Sequence, residues 1–146
     1  MSEEKSIYKA LVAAQKKIGS ANKGAENPFY NSTYADLGEV IKTVKEACNE
    51  EGLSIIQPLR VQADLDGKPY QVLETTIIYG ETGEAITSSV MVPEEKNIQK
   101  FGGLITYLRR YALQSLLLVP AIDDDANCLV KAPTKAPVKR KATTKF

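Results

Sequence analysis

Three strand-like runs stand in one block between residues 53 and 92, and the turns that join them are short. Leu53 to Val61 sets Leu53, Ile55, Leu59 and Val61 on one side, with Gln57 as the exception, and Pro58 within it predicts an edge position or a bulge. Asp64-Leu65-Asp66-Gly67 reads as a turn. Tyr70 to Tyr79 and Ala85 to Val92 then flank Glu81-Thr82-Gly83-Glu84, a good hairpin loop, and Pro93 ends the sheet. Strands grouped in this way give an antiparallel meander. The chain is therefore expected to be α+β, not a doubly wound α/β protein.

Helical periodicity surrounds that block. Residues from about Glu3 to Ile18 carry Ile7, Leu11, Ala14 and Ile18 on one stripe, ended by Gly19. Residues 20–32 hold Gly24, Asn27, Pro28 and Asn31 and read as a loop with turns. Ser32 or Thr33 can cap a second helix, in which Leu37, Val40, Ile41, Val44 and Cys48 recur until Gly52 stops it. After the strands, a long helix is predicted from about Asn97 to Leu117. The expected order is two helices, a three-stranded meander, a long helix and a tail.

With 146 residues, 43% of them hydrophobic, the chain has enough apolar matter for one core. Its longest apolar run, Leu116 to Ile122, is seven residues broken by Pro120, short of the ~20 that a membrane helix needs, so no membrane partner is expected. Cys48 and Cys128 lack close-spaced partners. Cys48 reads as a small core residue, and a reducing, cytoplasmic setting is the default. Lys131, Lys135, Lys139, Arg140, Lys141 and Lys145 make the C-terminal stretch purely basic; removing those six charges from the net +1 leaves −5 for residues 1–130. A division at 130/131 is expected, with a folded, mildly acidic body and a Lys/Pro/Ala-rich tail at 131–146 that cannot bury enough to fold. An acidic body argues for a localised nucleic-acid groove over indiscriminate coating, with the tail adding a non-specific electrostatic contribution.

The long helix divides into two faces. Phe101, Leu104, Ile105, Leu108 and Ala112 form an apolar stripe, and Lys100, Gly103, Tyr107, Arg110 and Gln114 form a second, polar one. The second stripe supplies charge for phosphates and a ring for stacking, which is what a single strand needs from a protein; a solvated surface has the same spacing. Gly102 and Gly103 each cost about 1 kcal/mol relative to alanine, and close approach of a DNA or subunit backbone is the natural reason for them. Arg109 and Arg110 point about 100° apart and are expected to do different jobs.

These residues also carry a family likeness. Gly102-Gly103, Ile105-Thr106-Tyr107, Arg109-Arg110-Tyr111-Ala112-Leu113 and the downstream Asp123-Asp124-Asp125 resemble the signature of the ERF family of phage recombinases. Asn27-Pro28-Phe29 followed by Tyr34-Ala35-Asp36-Leu37 is similar to a second family motif, and Glu51-Gly52-Leu53 leading to Gln57-Pro58 to a third. The resemblance runs from about residue 7 to residue 127. It implies a three-stranded sheet with a helix packed across one face, related to the Rad52-type annealing fold. Two departures stand out. Thr33 occupies a place where the family commonly carries lysine, which throws weight onto Lys100, Arg109 and Arg110. Leu108 replaces a small residue.

Other constellations are thinner. The chain has no histidine, which removes His-dependent triads and most zinc sites. Gly19 to Gly24 has phosphate-loop glycine spacing, but Ala25 and Glu26 stand where Lys and Ser/Thr are required, so no ATP site is supported. Asp123-Asp124-Asp125-Ala126-Asn127 fails as a calcium loop, with Cys128 at position six and Thr134 at position twelve. Its acids either pair with Arg109 or Arg110 of the same or a neighbouring subunit, stay solvated, or hold Mg²⁺; the sequence requires no cofactor. Phe29, Tyr30 and Tyr34 bracket the loop before the second helix. Phe29 reads as core, whereas Tyr34 can stack a base, wedge a subunit contact or staple the helix. Lys23 is a candidate phosphate contact, and Lys42 and Lys45 read as surface residues.

The expected function is that of a phage-type recombination protein, not an enzyme, which binds single-stranded DNA and anneals complementary strands without ATP. Its DNA contacts are expected at Lys23, Tyr34, Lys100, Tyr107, Arg109 and Arg110, with Asp123, Asp124 and Asp125 as a salt-bridge or oligomer loop. Expected partners are single-stranded DNA, the annealed duplex and further copies of the chain in a ring or filament. A single-strand binding protein or exonuclease of host or phage is a further candidate. A passive coating protein, an oligomeric scaffold and a magnesium-dependent nuclease are the alternatives.

Overall fold

The computed structural model describes residues 3–19 and 36–120, together with the backbone of 25–27 and 32–34. In chain order the elements are α1 (Ile7–Lys17), β1 (Ala25–Asn27), β2 (Ser32–Tyr34), α2 (Leu37–Glu50), β3 (Leu53–Ile56), β4 (Leu59–Ala63), β5 (Pro69–Tyr79), β6 (Ala85–Val92) and α3 (Ile98–Leu117). The α+β order expected from the sequence is present, with an antiparallel sheet and a long helix packed on it.

The main sheet has four strand segments where the alternation predicts three. The physical reason is Pro58. β3 and β4 lie on the same side of β5 and keep one register, Ile56 opposite Thr76 and Leu59 opposite Leu73. Proline has no N–H to donate, so the ladder thins at Gln57–Pro58 although the Glu74 N–H still reaches the Pro58 carbonyl at 3.0 Å. The segments form one edge strand with a break, β5 is central, and β6 borders its other side from Gln71 opposite Val92 to Ile78 opposite Ala85.

Two expectations about the region before α2 are corrected. Residues 25–27 and 32–34, read as loop and helix cap, pair antiparallel with Ala25 opposite Tyr34. The cap of α2 is accordingly Asp36, not Ser32 or Thr33: its Oδ1 accepts from the Glu39 N–H at 2.9 Å. This satisfies one of the unpaired donors of the first turn.

Because opposed residues share a face, Leu53, Ile55, Ile77, Tyr79 and Ile86 all turn toward the helices. They meet Ile7, Ala10 and Ala14 of α1, Val40, Val44 and Cys48 of α2, and Leu113 and Leu117 of α3 in one core. Full burial of a side chain the size of Leu113 or Ile77 contributes about 1.5–3 kcal/mol. The opposite face is tied by polar cross-strand pairs: Arg60 with Glu74 at 2.8 Å, Tyr70 with Gln62 at 2.9 Å and Thr76 with Thr87 at 2.9 Å. The β5–β6 hairpin tip also holds α1, since Glu84 accepts from the Ile7 N–H at 3.2 Å and Glu81 pairs with Lys5. An acceptor at that helix N-terminus meets an otherwise unpaired donor.

Burial reaches Leu73 and Val92 in the middle of the sheet but not its β4 border. Leu59 and Val61 fall in phase with Leu53 and Ile55, yet they are 45% and 69% exposed, because α1 and α2 cover the end of the sheet that holds β3. The first half of α3 is correspondingly loose, with Ile98 82% exposed and Phe101, Leu104 and Ile105 only half-buried.

Candidate nucleic-acid interface

α3 begins at Asn97, whose side chain accepts from the N–H groups of Gln99 (3.0 Å) and Lys100 (3.1 Å), and it ends where Leu118 takes a left-handed conformation with φ 53°. This is the helix that periodicity predicts, within one residue at the start and coincident at the end. Its expected polar stripe is present. Lys100, Gly103 and Tyr107 are exposed, and Arg110 and Gln114 are half-buried. The apolar stripe is half-buried throughout, and the deepest positions lie one step round, at Leu113 and Leu117.

The two arginines separate as adjacent helical residues should. Arg110 lies over a pair of tyrosines: the Tyr107 and Tyr111 ring centroids are 4.4 Å apart at 51°, and the guanidinium carbon sits 5.7 Å and 5.0 Å from them. A guanidinium over an aromatic face is attracted by the ring quadrupole. Arg109 falls instead on the row Phe101, Ile105, Arg109, Leu113, Leu117, which turns toward the sheet at its buried end. There it meets Gln57, whose amide nitrogen donates to the Arg109 carbonyl at 3.2 Å and whose amide oxygen accepts from Arg109 Nε at 3.4 Å.

α3 thus brings together Lys100, Tyr107, Arg109 and Arg110. Tyr34 ends β2, opposite Ala25, and only its backbone is described. Lys23, Phe29, Tyr30, the Asp123–Asp125 loop with its Mg²⁺ and salt-bridge alternatives, Cys128 and the basic tail lie outside the described residues. Lys42 and Lys45 are exposed as expected. Gly102 and Gly103 are open: a methyl group added at either would have nothing within 4 Å. No packing within the described chain therefore calls for glycine there.

Tyr111 and Gln57 belong to this site although the spacing argument passed over both. Tyr111 is four residues after Tyr107, the spacing that stacks side chains on a helix. Gln57 was visible as the polar interruption of an apolar alternation, but its partner is 52 residues away in sequence. A separate cleft of about 1090 Å³ at the far end of the sheet is lined by residues including Val61, Tyr70, Met91, Lys68, Lys96 and Phe101, and by none of Tyr107, Arg109 and Arg110. Its lining sets Asp64, Glu94 and Glu95 against Lys68 and Lys96 and so offers no excess of positive charge to a polyanion; the basic–aromatic face of α3 is the candidate interface.

Fold and site together define a small α+β domain with an antiparallel sheet and a long helix bearing stacked aromatics and cations. A family model of the ERF superfamily matches residues 7–145, and the chain belongs to that superfamily. At family level this places it among phage proteins of recombination by single-strand annealing. The match continues through the basic tail, past the 130/131 division read from composition. No curated protein and no solved structure gives a significant match to the chain.

Proposed function

We propose that this chain binds single-stranded DNA through α3 and anneals complementary strands without ATP, working as an oligomeric ring or filament. The observation that carries the reading is the Tyr107–Arg110–Tyr111 stack beside Arg109, a concentration of cations and rings on a body whose net charge is −5 over residues 1–130. Phosphates are neutralised by Lys100, Arg109 and Arg110, a ring supports a base, and base edges remain outward for a second strand to test. Contacts of this kind carry no base information, so binding is sequence-independent and weakens steeply with salt. Lys23 and Tyr34 are proposed as further contacts. Asp123, Asp124 and Asp125 are proposed to pair with an arginine of the same or a neighbouring copy.

Association of copies is supported by the uncovered β4 border of the sheet. Leu59 and Val61 are exposed on a border strand, near the loose first half of α3, and apolar surface of this kind favours a partner. Gly102 and Gly103 leave room for a backbone from outside the chain to approach the helix. The tail is proposed to raise the encounter rate with the second strand.

The test is annealing of two labelled complementary oligonucleotides, without nucleotide, across a salt series. Acceleration over the protein-free rate, lost in an Arg109→Ala/Arg110→Ala protein that still assembles, is the expected result. Tight strand binding with slowed annealing would make it a coating protein; absence of binding at low salt would leave a scaffold, and magnesium-dependent degradation would reveal a nuclease. Deletion of residues 131–146 without change in annealing rate would remove the tail from the mechanism.

A further inference from the structure

Gln57 interrupts the apolar side of its strand, and its amide is fully committed in direction. The nitrogen donates to the buried Thr75 hydroxyl at 3.0 Å and to the Arg109 carbonyl at 3.2 Å. A carbonyl only accepts, so the amide cannot be reversed, and its oxygen is left to face the Arg109 Nε–H, which only donates, at 3.4 Å. The backbone beside it is held by Pro58, with its fixed φ and its bond from the Glu74 N–H.

From this geometry we infer that Gln57 is a positioning residue for Arg109, holding the guanidinium by its Nε so that both terminal nitrogens are presented to strand phosphates. The inference rests on the reading of α3 as a strand-binding surface. Three features support it. Arg109 lies on the inward row of its helix, where a cation needs a polar partner. No buried side-chain nitrogen or oxygen among the described residues lacks a partner, and Gln57 supplies the one hydrogen bond recorded for the Arg109 side chain there, so its terminal nitrogens reach solvent. Finally, the partner is neutral. A carboxylate at position 57 would cancel the charge and set a second acceptor against the Arg109 carbonyl; an amide orients the cation and leaves its charge for an anion.

The experiment has a part that needs no DNA. Arginine Nε–H signals are measured in ¹⁵N-labelled protein, with Arg109 assigned by its disappearance in Arg109→Lys. Slow solvent exchange at Arg109, lost in Gln57→Leu, is expected; rapid exchange in the wild-type protein overturns the inference whatever the DNA result. The second part measures oligo-dT affinity against salt. Gln57→Leu is expected to weaken binding several-fold and to add nothing in an Arg109→Ala background. Gln57→Glu should lower the salt slope by about one, the value expected for a lost phosphate contact. A Gln57→Leu loss that is equal in both backgrounds makes Gln57 merely structural and overturns the inference. Should Gln57→Leu fail to fold, the isosteric Gln57→Glu and the wild-type exchange rate still decide. Absence of strand binding by the wild-type protein would end the functional reading and leave the Gln57–Arg109 pairing to be judged on the Nε signal.

Discussion

The guanidinium carbon of Arg110 lies 5.0 Å from the ring centroid of Tyr111, and the same ring is 4.4 Å from that of Tyr107. One cation and two rings therefore form a single stack along successive turns of α3, with Tyr107 its more exposed member at 52%. Charge and stacking surface are adjacent but carried by different residues, and different measurements can separate them.

Tyr107→Leu should weaken single-strand binding by about 1–3 kcal/mol, the usual worth of a base–aromatic stack, and leave the salt slope unchanged. Arg110→Ala should lower the slope by about one, and Tyr111→Leu should loosen Arg110 by about 0.5–1 kcal/mol. Oligonucleotide titrations at four or five salt concentrations check this. Equal slope changes in the tyrosine and arginine variants would contradict the division.

The glycine pair gives a prediction in which stability and activity move in opposite directions. Gly102→Ala or Gly103→Ala meets no atom within 4 Å and should raise stability by about 0.4–1 kcal/mol, by favouring helix and restricting the unfolded chain. If a DNA or subunit backbone approaches that turn, the same methyl lowers annealing. Thermal unfolding and the annealing rate, measured on one preparation, decide it: a stabilised variant with full activity would show that nothing approaches there.

Cys48 supplies the pH dependence. It is fully buried in the core, and burial pushes its thiol from an ordinary 9.0 up to about 11. The folded state thus keeps a proton that the unfolded state releases. Its stabilising contribution is complete below about pH 9 and is lost as pH rises from 9.0 to about 11. In a Cys128→Ser background, native protein should resist alkylation at pH 8, and Cys48→Ala should flatten the alkaline fall of stability. Rapid alkylation of native protein would show that the helix pair opens.

The elements legible in the sequence are those whose evidence is local. α3 follows from period 3.6 between Asn97 and the turn at Leu118, and the β5–β6 hairpin from alternation around Thr82-Gly83. The cap of α2 was harder, because Ser32, Thr33 and Asp36 are all capping residues; a two-strand ladder takes the first two, and only the last adjoins the helix. At the site, Arg109 and Arg110 could be separated by helical angle alone. What each faces could not be read, since Gln57 reaches Arg109 across 52 residues and through a sheet register that no local pattern encodes.

Pro58 has a consequence for the border of the sheet. Pro58 and Glu74 face each other as a hydrogen-bonding pair, so the donor that proline lacks would have pointed inward, toward β5. The neighbouring residues Gln57, Leu59, Val61 and Ala63 point their N–H and C=O groups the other way, where no strand is paired among the described residues. Proline usually blunts a border by removing an outward donor. Here the outward row is complete, and an incoming strand would find every main-chain partner it needs from Leu59 to Ala63.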